Sequence, residues 1–241
     1  MWMRFDPVKD ALFLDIDGTL LDIAPTAKDV KVLPILVKNL ARLNEKLDGA
    51  LALISGRMIQ DVDLLFDPLR LRCAGAHGAE LRASPFGPVE SSQFLPDFLR
   101  DEIRAAFKGM QGITVEDKMY NVAVHYRKSP QNADKIESTL KRIIQNYDKN
   151  VVLIHGRKVF EVSLTSYNKG QAIERLLKNA PFKNRRPVFL GDDTTDISAI
   201  GACMKYGGIA ARVGQGKPNQ KNAFDSPAMV RSWIEKIAGE T

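Results

Sequence analysis

Cysteine is scarce in this chain: Cys73 and Cys203 are its two, and their spacing matches no metal-binding pattern. A cysteine metal centre is therefore excluded, and two isolated cysteines are expected as reduced, buried thiols in a reducing compartment. Long apolar runs are also lacking. Ala11–Leu14 stops at Asp15, too short for the apolar region of a secretory leader, and nothing approaches the roughly 18 residues needed to span a bilayer. No membrane association and a cytoplasmic location are the expectations. No block of lysine and arginine appears either. The net charge of +6 is scattered among acidic residues, with no basic stripe interleaved with aromatics. A mixed, solvated surface is expected, and nucleic acid is not an expected partner. Internal repeats and low-complexity segments are missing.

What remains is an ordinary globular composition. The 241 residues, 44% hydrophobic and 27% charged, suffice for one large domain or for a core with an inserted module. The first third alternates strand and helix patterns. Ala11–Leu14 and Ala50–Ile54 are continuous apolar runs, and Ile35, Leu36, Leu40, Leu43 and Leu47 fall at helical spacing behind Pro34. The last third repeats this grammar, with a helix around 169–179, a strand over Pro187–Leu190 and a closing helix after Ser226-Pro227. Apolar strands alternating with helices predict an α/β, Rossmann-like parallel sheet covered on both faces. The middle reads differently, as helix–hairpin–helix–hairpin, an α+β module with an antiparallel sheet and helices on one face. The expected divisions are residues 1–83 and 166–241 for the core and 84–165 for the insert.

Several acids stand at strand ends. Asp15 and Asp17, two apart at the end of a buried strand, project to the same side, at the carboxyl edge where open α/β sheets bind ligands. Gly18 permits a sharp exit and Thr19 sets a hydroxyl beside the pair. A turn or helix cap would also explain an isolated Asp-x-Asp-Gly, although the four apolar residues before it weaken that reading. Ser55 ends the second strand, either as a phosphate ligand or as a helix N-cap. Lys169 opens a helix, where a lysine opposes the helix dipole, either in a functional role or simply solvated. Asp192, Asp193 and Asp196 follow the last strong strand, and capping accounts for one of them but not all three. In the insert, alternation leaves His125 and Arg127 on the face opposite Val122, Val124 and Tyr126, and Glu161 opposite Phe160 and Val162. With Glu116 and Lys118 they would line either a wet sheet or a surface suited to a hydroxyl-rich ligand.

The ordered set Asp15-Ile16-Asp17-Gly18-Thr19, Ser55, Lys169 and Gly191-Asp192-Asp193 resembles the four motifs of the haloacid dehalogenase superfamily of phosphotransferases. A narrower resemblance, to the trehalose-6-phosphate phosphatases, rests on several segments. They are Leu53-Ile54-Ser55-Gly56-Arg57, Gly75-Ala76-His77-Gly78-Ala79-Glu80, Glu116-Asp117-Lys118, His125-Tyr126-Arg127, Glu161-Val162 and Gly191 to Asp196. The resemblance implies that Asp15 is the nucleophile and Asp17 the acid and base. It implies Mg²⁺ held by Asp15, the carbonyl of Asp17 and Asp192, and phosphate bound by Thr19, Ser55, Gly56 and Lys169. Asp193 and Asp196 would support the metal shell and orient Lys169. Glu116, Lys118 and Glu161 would bind the sugar, with Arg57, His77 and Glu80 lining the junction between the core and an insert that acts as a cap. His125 and Arg127, on the open face of the insert, are further candidate substrate contacts, and a monomer is expected. The chain departs from the family pattern at Ser163-Leu164, where Arg-Pro is common, and at Ile197, where an acid is common.

Overall fold

The protein is described by a computed structural model over residues 5–24, 29–147, 150–156, 158–192, 196–214 and 224–239. The chain divides into two compact units, one of residues 1–90 with 168–241 and one of residues 91–167. The first unit therefore runs past the boundary expected at residue 84, because short strands continue its sheet as far as Glu90, which pairs with Arg175.

The first unit begins with β1 (Asp10–Leu14), α1 (Pro34–Lys46), β2 (Leu51–Ile54), α2 (Ile59–Leu65), β3 (Arg72–Gly75) and β4 (Glu80–Arg82), and β5 (Glu90–Ser91) lies at the edge. The second unit holds α3 (Asp97–Phe107), β6 (Thr114–Asp117), β7 (Asn121–His125), α4 (Ala133–Gln145), β8 (Val151–Gly156) and β9 (Val159–Leu164). The chain then returns to the first unit with α5 (Lys169–Leu177), β10 (Arg186–Gly191), α6 (Ile197–Lys205), β11 (Ile209–Arg212) and α7 (Pro227–Gly239).

Seven strands in the order β11-β10-β1-β2-β3-β4-β5 form the main sheet. From β11 to β3 every neighbouring pair is parallel, and β4 turns antiparallel on β3. Strands buried on both faces must be apolar throughout, and every residue of β1 and β2 is buried. The polar exception at the foot of β1, Asp10, is paired through both oxygens by Arg186 at 2.8 Å. Pro34 opens α1, and its buried Leu36, Leu40 and Leu43 return at the 3.6-residue period. Phe13 stacks on Phe182 with ring centroids 5.2 Å apart beneath the sheet. Cys73 and Cys203 are buried free thiols, and burial pushes each up to about 12.

The second unit is a four-stranded antiparallel sheet, β6-β7-β9-β8, accompanied by α3 and α4. Register places Val122 beside Val162 and Val124 beside Phe160, while Ala123 faces Glu161 and Glu116 faces Ala123. Paired residues share a side of the sheet. The apolar pairs therefore lie on one side, and Glu116 and Glu161 stand on the other. The helices bury Leu99, Ile103 and Phe107 from α3 and Ile136, Leu140 and Ile143 from α4. Among the described residues, no helix is long and apolar enough to cross a membrane.

Candidate active site

Strand order places the site. From β1 the chain moves outward through β2 and β3 on one flank, and through β10 and β11 on the other. Connections diverge between β1 and β10, and in an open α/β sheet the crevice at the carboxyl ends of such strands receives the ligand. Residues leaving β1 and β10 are neighbours there, and the Asp15 N–H donates to the carbonyl of Leu190 at 2.9 Å.

Asp15 is buried, and both of its oxygens are engaged. Lys169 Nζ donates to Oδ1 at 2.7 Å and Thr19 Oγ1 donates to Oδ2 at 2.9 Å. Lys169 is the first residue of α5, 3% exposed, and its second partner is Asp196 Oδ1 at 2.6 Å. The unfavourable place of a lysine at a helix start is offset by these two buried carboxylates. Burial by itself would strip the proton from Lys169, but Asp15 and Asp196 hold its value above the ordinary lysine range. Asp15 is driven well above the carboxylate range, by burial first, against the pull of Lys169 and with repulsion from Asp196 and Asp192.

One carboxylate oxygen from each of Asp15, Asp192 and Asp196 falls within 4.8 Å of the others. Two glycines permit that convergence. A Cβ on Gly18, where φ is +85°, would lie 2.1 Å from Asp192 Oδ2, and one on Gly191 would lie 2.3 Å from Asp196 Oδ2. The donors that converge there are all hard carboxylate oxygens. Such a set fits Mg²⁺. Asp196 stands within it and, as expected, also holds Lys169. Asp193 lies outside the described residues.

Asp17 faces Arg57, whose Nε donates to Oδ2 at 2.7 Å and Nη2 to Oδ1 at 2.6 Å. Ser55 is buried at the end of β2, and its Oγ accepts the Arg57 N–H at 3.0 Å. Its hydroxyl thus shapes the loop while standing beside the site. His77 adopts a left-handed backbone, φ 56°, between Ala76 at 46° and Gly78 at 101°. This turn drives the imidazole against Gly56, where a Cβ would come within 2.5 Å of Nε2. Gly78 is equally close to the carbonyl of Asn168, the N-cap of α5. The segment from Gly75 therefore buttresses both the Ser55 loop and the helix carrying Lys169. Glu80, expected to line the junction with the insert, is buried and accepts the Ile59 N–H at 2.7 Å, holding the start of α2.

In the second unit, Glu116 Oε2 bonds His125 Nε2 at 2.9 Å and lies 3.6 Å from Lys118 Nζ. Lys118 Nζ is also 3.9 Å from Glu161 Oε1, and Asn121 Nδ2 donates to Glu161 Oε2 at 2.8 Å. Four of the expected sugar contacts are thus gathered on one patch. Arg127 is exposed beyond the end of β7. Asn121 belongs to the patch without having been singled out in the sequence. Its strand position opposite Ser163, next to Glu161, was the available signal. The departures from the family pattern fall at different depths. Ser163 is buried in β9, and Ile197 is exposed at the start of α6.

A family profile described as trehalose-phosphatase matches residues 13–226. A protein of Sinorhizobium fredii named "probable trehalose-phosphate phosphatase" is 40% identical over 232 residues, covering 95% of this chain and 87% of the relative. The trehalose-6-phosphate phosphatase of Escherichia coli K12 is 36% identical over 233 residues, covering 95% and 86%. Among solved structures, the C-terminal domain of the Candida albicans trehalose-6-phosphate phosphatase superposes with a TM-score of 0.82 at 19% identity, covering 97% of this chain and 93% of that one. At that identity the superposition speaks for the fold alone.

Proposed function

Because the chain belongs to the trehalose-phosphatase family, we propose that it hydrolyses trehalose 6-phosphate to trehalose and phosphate through a phosphorylated Asp15. The observation that carries this reading is the buried Asp15 carboxylate, aimed by Lys169 and Thr19 into a cluster of acids at the carboxyl end of the sheet. Hydrolysis of a phosphate monoester is extremely slow in water, so positioning and charge neutralisation must supply most of the acceleration. An Asp15 oxygen forms a bond to phosphorus while the bond from phosphorus to the sugar oxygen breaks, and the Asp17 carboxyl passes its proton to that oxygen. Asp17 then takes a proton from water as the water attacks phosphorus, and the Asp15–phosphorus bond breaks to release phosphate. Such acid–base help is worth about 10²- to 10⁴-fold. Lys169, with the Ser55-Gly56 loop and Thr19, binds the phosphoryl group and offsets its charge. When bound between Asp15, Asp192, Asp196 and the Asp17 carbonyl, Mg²⁺ supplies further charge neutralisation at the transferring group.

Glu116, Lys118, His125 and Glu161 are the proposed sugar contacts, since linked charged groups make strong, directional hydrogen bonds to hydroxyls. The second unit acts in this reading as a cap, and the protein works as a cytoplasmic monomer. The test is phosphate release from trehalose 6-phosphate, sucrose 6-phosphate and glucose 6-phosphate, with Mg²⁺ and with a chelator. A Mg²⁺-dependent preference for trehalose 6-phosphate is expected. Preference for another ester would move the substrate and keep the chemistry, and binding without release from any of them would replace the enzyme with a sugar-phosphate sensor.

A further inference from the structure

Arg57 meets Asp17 side by side, through two parallel hydrogen bonds of 2.7 and 2.6 Å. The arginine is itself fixed at both ends of its peptide unit. Its N–H donates to Ser55 Oγ at 3.0 Å, and its carbonyl accepts the Ala76 N–H at 2.7 Å. Its side chain is 15% exposed while that of Asp17 is 38% exposed, so the anchored partner is the arginine and the more open one is the acid. A planar guanidinium bound through two donors fixes both the direction and the roll of a carboxylate, which a single contact would not do. Each carboxylate oxygen keeps a second lone-pair site beyond the one the arginine takes, so the grip sets the direction in which Asp17 can meet a substrate.

We propose that Arg57 is a positioning residue, which aims the Asp17 carboxyl at the leaving oxygen and acts on the reaction through Asp17 rather than through contact with the sugar. This rests on the phosphatase reading and assigns Arg57 a task different from the lining of the junction that the family resemblance implies.

The test uses substrates without sugar. The folded protein is assayed for kcat/KM on phenyl phosphate, whose leaving oxygen is basic and needs a proton, and on 4-nitrophenyl phosphate, whose leaving oxygen does not. Because kcat/KM covers the steps up to the first irreversible one, it reports departure of the alcohol. Arg57→Ala is expected to lose about 10²-fold on phenyl phosphate and under about 10-fold on 4-nitrophenyl phosphate, the same tilt that Asp17→Asn produces. Adding Arg57→Ala to Asp17→Asn is expected to tilt the series no further, as two residues acting through one group should. Arg57→Lys, which retains the charge without the paired geometry, goes through the same series and supplies the answer if Arg57→Ala fails to fold. Equal losses on both esters would overturn the proposal in favour of a purely structural role. Unchanged aryl phosphate rates with a raised KM for trehalose 6-phosphate would overturn it in favour of direct sugar contact. Failure of the unsubstituted protein to release phosphate from any ester would instead remove the phosphatase reading beneath it.

Discussion

Gly18 turns the chain out of β1 with φ +85°, and the atom a larger residue would add lies 2.1 Å from Asp192 Oδ2. The carboxylate, at the end of its own side chain, would swing away, and alanine is strained at this φ, so Gly18→Ala should damage the acid cluster as well as cost stability. The expected outcome is a Mg²⁺ requirement raised at least about tenfold, one factor of ten being about 1.4 kcal/mol of binding, read as the Mg²⁺ concentration giving half-maximal phosphate release. An unchanged requirement would detach Asp192 from the metal. At this scale the sequence is legible where a side chain acts next to its own neighbours. Asp15, Asp17, Gly18 and Thr19 declare themselves within five residues. The grip of Arg57 on Asp17 spans 40 positions, and that of Lys169 on Asp196 spans 27. No local pattern encodes such pairs: family likeness alone pointed from Asp196 to Lys169, and the pairing of Arg57 with Asp17 appears only when strand order brings the ends together.

Two elements depend on carboxylates, one buried and one half-buried, whose partners lie elsewhere in the chain. The start of α2 lacks a capping side chain at Met58, and Glu80 from β4 accepts the Ile59 N–H instead. Leaving a buried helix donor poorly paired costs about 1–3 kcal/mol. Glu80→Ala should lower stability by that amount in denaturant titration, and a variant as stable as the parent would refute the capping role. In the second unit, Asp117 ends β6 with Arg100 Nη1 2.8 Å from both of its oxygens and the Met119 N–H at 3.0 Å. Burial would raise this carboxyl, but Arg100 and the Met119 N–H pull it below the ordinary range. A carboxyl depressed by folding contributes stability above its unfolded value, and that contribution is lost as pH falls through the lower folded value. Asp117→Asn should therefore melt below the parent at neutral pH, with the gap closing as the solution is acidified past the usual aspartate range. A gap that persists undiminished in acid would contradict it. Long periodic elements such as α1, α3 and α4 were legible because their apolar spacing decides their burial. The short strands β4, β5 and β11 and the helix α6 were not read from the sequence. Without a continuous apolar run such as that of β2, a strand this short takes its identity from the neighbour it pairs with. Over α6, the loose apolar run Ile197–Lys205 attracts less notice than the acids before it.

For the whole molecule, the decisive fact is that β1 and β10, distant in sequence, lie side by side and end together. That adjacency turns two separate acidic motifs into one site. It follows from a parallel sheet whose strands are apolar on both faces, a property the sequence displays openly in Ala11–Leu14 and Pro187–Leu190. The hydroxyl-binding patch was less legible. Alternation identified its face and ran on to Arg127, which lies beyond the end of β7, whereas Glu80 entered by motif likeness and holds the start of α2. The account as a whole stands on Asp15 attacking the phosphorus of trehalose 6-phosphate. The most direct measurement is to quench the protein in acid during turnover of that ester with Mg²⁺ and to locate any phosphoryl group by peptide mass mapping. One phosphoryl group on the peptide containing Asp15, absent from Asp15→Asn along with phosphate release, is the predicted result. Sustained phosphate release with no phosphoryl group on Asp15, or a working Asp15→Asn variant, would contradict it.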